Sequence, residues 1–104
     1  MNEIKYLATA IKKFADARDW ERFHTPKNLS MAIAGEAGEL VAEFQWLTGE
    51  QSMRSNMTVE KLHNVELEIA DVAIYLIRLA DVLGIDIDEV VRRKLVINES
   101  RFSE

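Results

Sequence analysis

The stretch Thr25-Pro26-Lys27-Asn28-Leu29-Ser30-Met31-Ala32-Ile33-Ala34-Gly35-Glu36-Ala37-Gly38-Glu39-Leu40-Val41-Ala42-Glu43-Phe44-Gln45-Trp46-Leu47 decides how this chain folds. Helix formers fill it, Thr25 fits an N-cap followed by proline at the first helical position, and no alternation of apolar and polar residues suggests a strand. A helix is therefore predicted from Pro26 to about Leu47, stopped by Thr48-Gly49. Around its two glutamates the helix is apolar on nearly every side, at Leu29 to Gly35 and again at Leu40-Val41-Ala42, so it is expected to be buried.

Upstream, Ile4, Leu7, Ile11, Phe14 and Ala15 follow the spacing of one apolar helix face, which predicts a first helix from about Glu3 to Arg18. Downstream, residues 49–57 are polar, with Gly49, Ser52, Ser55 and Asn56 among them, and suit a surface loop. Thr58 can cap a third helix that continues through Leu83 to Gly84, a residue able to supply a left-handed C-terminal cap. Asp86 with Glu89 then resembles a capping box for a fourth helix that runs to the end of the chain. The only proline is Pro26, and no repeat or low-complexity tract is present. An all-α four-helix bundle is the simplest architecture, and 104 residues predict a single domain over residues 1–104.

Thirteen basic residues against eighteen acidic ones give a net charge of -5, which offers no general attraction to a nucleic-acid backbone. The same charge repels a polyphosphate, unless a bound cation and a few placed basic groups reverse the local field. The chain has no cysteine, so disulfides and thiolate metal sites are excluded. Met1-Asn2-Glu3 opens no secretory signal, and the longest weakly charged stretch, Leu29 to Leu47, carries three glutamates. No membrane span and a cytoplasmic location are expected.

Glu36 and Glu39 stand three apart, as do Glu68 and Asp71, so each pair projects from one face of its own helix and can grip a cation. The run Val72-Ala73-Ile74-Tyr75-Leu76-Ile77 after Asp71 is again apolar, which directs Asp71 inward. Four carboxylates converging between helices repel one another and take up protons, unless a divalent cation holds them ionised. All-oxygen ligation favours Mg²⁺ or Mn²⁺ over zinc. The bland alternative is a set of solvated helix charges paired with lysines or arginines, yet no basic residue occurs between Asn28 and Met53. Gly35 and Gly38 weaken the helix, which close approach of a ligand or another helix would explain. A di-iron bundle is set aside, because neither His24 nor His63 stands three after a glutamate. Trp46, seven after Glu39, returns on a helix to within about 20° of the same face. Tyr75, four after Asp71, is placed similarly, and Lys94, Asn98 and Arg101 form one stripe of the fourth helix. His63 reads as a surface residue, and Glu43, Glu66, Asp81 and Asp88 read as ordinary helix charges.

The segments Gly35-Glu36-Ala37-Gly38-Glu39 and Glu68-Ile69-Ala70-Asp71 resemble the paired motifs of the MazG-like nucleotide pyrophosphohydrolases, and the chain looks closest to the dCTP pyrophosphatase branch. The resemblance extends over Arg18-Asp19-Trp20-Glu21-Arg22-Phe23-His24, Pro26-Lys27-Asn28-Leu29, Phe44-Gln45-Trp46, Tyr75-Leu76, and Lys94 with Asn98 and Arg101, almost the whole chain. The wider family often places two adjacent glutamates in its first motif, whereas Gly35 precedes Glu36 here; that removes one possible ligand.

The resemblance implies hydrolysis of a nucleoside triphosphate to the monophosphate and pyrophosphate, using Mg²⁺, in a dimer or a dimer of dimers. It implies metal ligands Glu36, Glu39, Glu68 and Asp71, with Glu36 or Glu39 taking the proton from water and Glu36 the first choice. It implies phosphate contacts from Lys94, Asn98 and Arg101, and base or sugar contacts from Trp20, His24, Trp46 and Tyr75. The leading expectation is clearance of dCTP or its modified relatives. The alternatives are a dUTP-specific or broad-range pyrophosphatase, and a helical oligomerisation module that binds Mg²⁺ without turnover. The apolar third helix leads us to expect self-association.

Overall fold

A computed structural model describes residues 3–102. Four α-helices run through them: α1 (Glu3–Ala17), α2 (Pro26–Phe44), α3 (Val59–Val82) and α4 (Ile87–Phe102). Short 3-10 turns occupy Glu21–Phe23 and Arg54–Asn56, and the described residues contain no strand. The all-α expectation holds, and among these residues no helix is long and apolar enough to cross a membrane.

The helix ends follow from local chemistry. Helix α1 closes with the Trp20 amide donating to the Ala15 carbonyl at 3.0 Å and that of Asp19 to Asp16 at 3.1 Å. This is a Schellman closure with Asp19 in the left-handed region at φ 55°. Helix α3 ends the same way on Gly84 at φ 69°, with Ile85 donating to Ala80 at 2.8 Å. Thr58 caps α3 through its hydroxyl, which accepts from the Lys61 amide at 3.0 Å. Asp86 likewise accepts from the Glu89 amide at 3.1 Å, but Glu89 turns its carboxylate to Arg93 at 2.9 Å.

Helix α2 is shorter than predicted. It stops at Phe44 because the chain tightens, with Leu47 donating to the Phe44 carbonyl at 2.9 Å. Beyond it, Thr48 and Gln51 exchange backbone-to-side-chain bonds at 2.9 and 3.1 Å and fix a turn. Trp46 therefore lies past the end of the helix, and the periodicity argument that placed it on the Glu39 face does not apply.

The chain divides into two compact units, one of Lys27–Leu76 and one of Met1–Pro26 with Ile77–Glu104. The first contains α2 and most of α3, and Leu29 and Val65 are its buried apolar residues among those described. The second contains α1, the end of α3 and α4, with Ala15, Ile77 and Ala80 buried. The expectation of a buried α2 is not met: Leu29 is 1% exposed, whereas Met31, Ala34 and Val41 lie open. Burial depends on what covers a face, and the described residues of this chain do not cover that one.

Candidate metal centre

The first unit brings three of the four predicted acids together. Carboxylate oxygens of Glu36 on α2 and of Glu68 and Asp71 on α3 lie within 4.8 Å of one another, and all three residues are half-buried. Helical spacing explains the convergence: Glu68 and Asp71 stand one turn apart on a single face, opposite Glu36. Glu39, one turn beyond Glu36, is exposed and outside that group of three, yet its charge still acts on Glu68.

Glu68 is the strained member. Its Oε2 is buried and has no hydrogen-bond partner among the described residues. Removal from water is the largest cause that raises its pKa above the ordinary carboxylate value; the charges of Glu39, Asp71, Glu36 and Glu43 follow in that order. An orphaned, desolvated carboxylate oxygen beside two others fits a divalent cation with a preference for oxygen, which would restore the charged form.

Glu43, read as an ordinary helix charge, does more than sit on its helix. It is half-buried and accepts from Lys61 Nζ at 3.0 Å, joining α2 to α3. The absence of basic residues between Asn28 and Met53 was visible in the sequence. That Lys61, eighteen residues away, supplies a cation to Glu43 was not. Gly35 and Gly38 were expected to admit a close neighbour. A Cβ built at either meets nothing within 4 Å, so none of the described residues makes the approach.

In the first unit, Tyr75 is half-buried on α3, four residues beyond Asp71, and Trp46 is 87% exposed. In the second unit, the rings of Trp20 and His24 stand 6.2 Å apart, tilted by 55°. Lys94 and Arg101 are exposed on α4 with Asn98 half-buried between them, and the Arg101 guanidinium lies 5.0 Å from the Phe102 ring centre. His63 is exposed, as expected.

Sequence reasoning missed Arg78, whose Nε donates to His24 Nδ1 at 3.1 Å. The signal was present in the sequence, since Arg78 is a lone cation inside the apolar run from Val72 to Ala80.

The model of the MazG-like family matches residues 31–103. The dCTP pyrophosphatase 1 of Homo sapiens is 39% identical over 90 residues, which is 86% of this chain and 53% of that protein. The Bos taurus protein of the same name is 37% identical over the same shares. This chain thus spans about half the length of the curated relatives it matches. A crystal structure of a pyrophosphatase from Archaeoglobus fulgidus superposes with a TM-score of 0.89 at 36% identity, covering 100% of this chain and 95% of that one.

Proposed function

This chain belongs to the MazG-like family, and we propose that it is a nucleoside triphosphate pyrophosphohydrolase acting on dCTP or a related modified deoxynucleotide. The observation that carries the proposal is the orphaned Glu68 oxygen among the carboxylates of Glu36 and Asp71. The names of the relatives, dCTP pyrophosphatase 1 and a pyrophosphatase, support the reaction and, for the former, the base.

Glu36, Glu68 and Asp71, with Glu39 beside them, would hold Mg²⁺, or Mn²⁺ in its place. When bound, the cation supplies charge neutralisation at the phosphates and acidifies water. The chain's own residues then divide the work. Water attacks the α-phosphorus in line, the bond from that phosphorus to the bridging oxygen breaks, and pyrophosphate leaves. Glu36 takes the proton of the attacking water, with Glu39 as the alternative base. Lys94, Asn98 and Arg101 bind phosphate oxygens, and Trp20, His24, Trp46 and Tyr75 hold the base and sugar. The net charge of -5 makes these placed cations and the metal a requirement.

The active form is a homo-oligomer, a dimer or a dimer of dimers. Apolar side chains left in the open support it, Leu67, Ile69 and Leu76 on α3 and Leu95, Val96 and Ile97 on α4.

The test is pyrophosphate release from dCTP, dUTP and the other triphosphates, with Mg²⁺ and with EDTA, for the wild type and Glu39→Ala. Release from dCTP that vanishes with EDTA and in the variant is expected. Turnover that survives both removes the proposed site, faster release from dUTP reassigns the base, and no release from any nucleotide by folded protein leaves a non-catalytic module.

A further inference from the structure

Among the described residues, Arg78 is the only charged side chain that is buried, with 3% of its surface exposed. It stands on α3 in the run Tyr75-Leu76-Ile77-Arg78-Leu79-Ala80. A guanidinium in such a place needs its hydrogen bonds and its counter-charge met. Asp81 provides the charge, with its Oδ2 3.5 Å from Arg78 Nη1. The other partner is a neutral ring: Arg78 Nε donates to His24 Nδ1 at 3.1 Å.

That bond dictates the state of the imidazole. A guanidinium has donors only and keeps its proton, so Nδ1 must be the acceptor. The ring then carries one proton, and it sits on Nε2. A second proton is disfavoured by the ring's own burial and by the positive charge of Arg78. His24 is held in place from the backbone as well, its amide donating to the Glu21 carbonyl at 3.1 Å, and the Phe23 amide donates to that of Trp20 at 2.8 Å. The Trp20 ring meets the Phe14 ring edge-on at 5.5 Å, which fixes the aromatic surface beside the imidazole. A flat indole next to a donor of fixed identity is suited to a nucleobase, whose face stacks and whose edge carries acceptor atoms.

We propose that Arg78 is a positioning residue for nucleotide recognition, locking His24 as a neutral Nε2–H donor that, beside Trp20, binds an acceptor atom on the edge of the nucleobase. An unlocked histidine would offer donor and acceptor in turn at that point. The lock removes the second option. The inference rests on the reading of His24 and Trp20 as nucleotide contacts, and its test separates the two.

The full chain, labelled with ¹⁵N in its imidazole rings, has two histidines, and exposed His63 serves as the internal reference. In the wild type, the His24 spectrum should show Nδ1 bare and Nε2 protonated, and dCMP should shift the Nε2 signal. In Arg78→Met the two nitrogens should move toward a tautomer average while His63 stays put. With helix content unchanged, KM for dCTP should rise about five- to tenfold, the loss of one hydrogen bond, with kcat within about twofold. Arg78→Lys, which keeps a donor, should recover part of both effects.

A wild-type His24 protonated on Nδ1, or an Arg78→Met spectrum identical to the wild type, overturns the lock. A tautomer change without a change in KM also overturns it, leaving Arg78 as a clasp. If dCMP leaves His24 unmoved while the wild-type tautomer is as stated, it is the nucleotide contact that fails. Should Arg78→Met not fold, His24→Gln, which keeps a donor near the Nε2 position, should bind dCTP several-fold better than His24→Leu. Equal KM values for that pair reject the donor.

Discussion

Glu68 carries an oxygen that no donor of the described residues reaches, and four other acids add their charge to it. Without a metal, its ionised form is disfavoured in the folded chain and unhindered in the unfolded one. In Glu68→Gln that repulsion is gone. The metal-free variant should therefore melt above the metal-free wild type at neutral pH, as scanning fluorimetry in EDTA would show. Millimolar Mg²⁺ should raise the melting temperature of the wild type and leave the variant unmoved, and pyrophosphate release should fall by about 100-fold or more. A variant that melts below the wild type in EDTA would show that the acids do not strain this site. His24 works with the opposite sign. Burial first, and Arg78 second, hold its pKa below 6.5. As pH falls below about 6.5 the unfolded chain takes up a proton that the folded chain resists, so this contribution to stability is whole above that pH and drains away below it. Subtracting the melting curve of His24→Gln from that of the wild type between pH 8 and 5, a range chosen around the ordinary histidine value of about 6.5, should expose the loss. Parallel curves would place His24 in solvent.

Helix α2 holds two glycines, Gly35 and Gly38, beside its two acids, and the described chain leaves open space where their Cβ atoms would go. Alanine at either should therefore stabilise the helix by up to about 1 kcal/mol in urea unfolding. Turnover should nonetheless fall, because the expected approach to this face comes from nucleotide or a second subunit. Higher stability with undiminished kcat/KM would mean that nothing comes close. The elements themselves were legible in the sequence: Pro26, Thr58, Gly84 and Asp86 mark helix boundaries by chemistry that acts within one turn. The acid pairs were legible because a three-residue spacing fixes a shared face. Trp46 was placed on the helix because the stop signal in the sequence is Thr48-Gly49, whereas the chain already tightens at Phe44, where the Leu47 amide donates to the Phe44 carbonyl. The links from Lys61 to Glu43 and from Arg78 to His24 join residues 18 and 54 apart, and periodicity along a helix carries no information about such partners.

Across the whole molecule, the apolar residues of the sequence outnumber those the described chain buries. Leu95 is 60% exposed on α4 and Ile69 is 53% exposed on α3, with Leu67 and Val96 open beside them. Single exposed leucines are normal on a monomer, but rows of them on two helices cost solubility unless covered. Copies of this chain are the cover that accords with the proposed oligomer. Sedimentation should give a mass that is a multiple of 11.9 kDa, and the melting temperature should rise with protein concentration, as it does when folding and association are linked. Ile69→Glu and Leu95→Glu should each lower the sedimenting mass, because a charge at a buried interface position is left unpaired. The variants also test whether association and activity are tied. If the site is completed by a second subunit, the dissociated variants should retain helix content and lose turnover together with mass, in proportion across a dilution series. Mass that remains that of one chain at every concentration would leave these faces without the proposed cover.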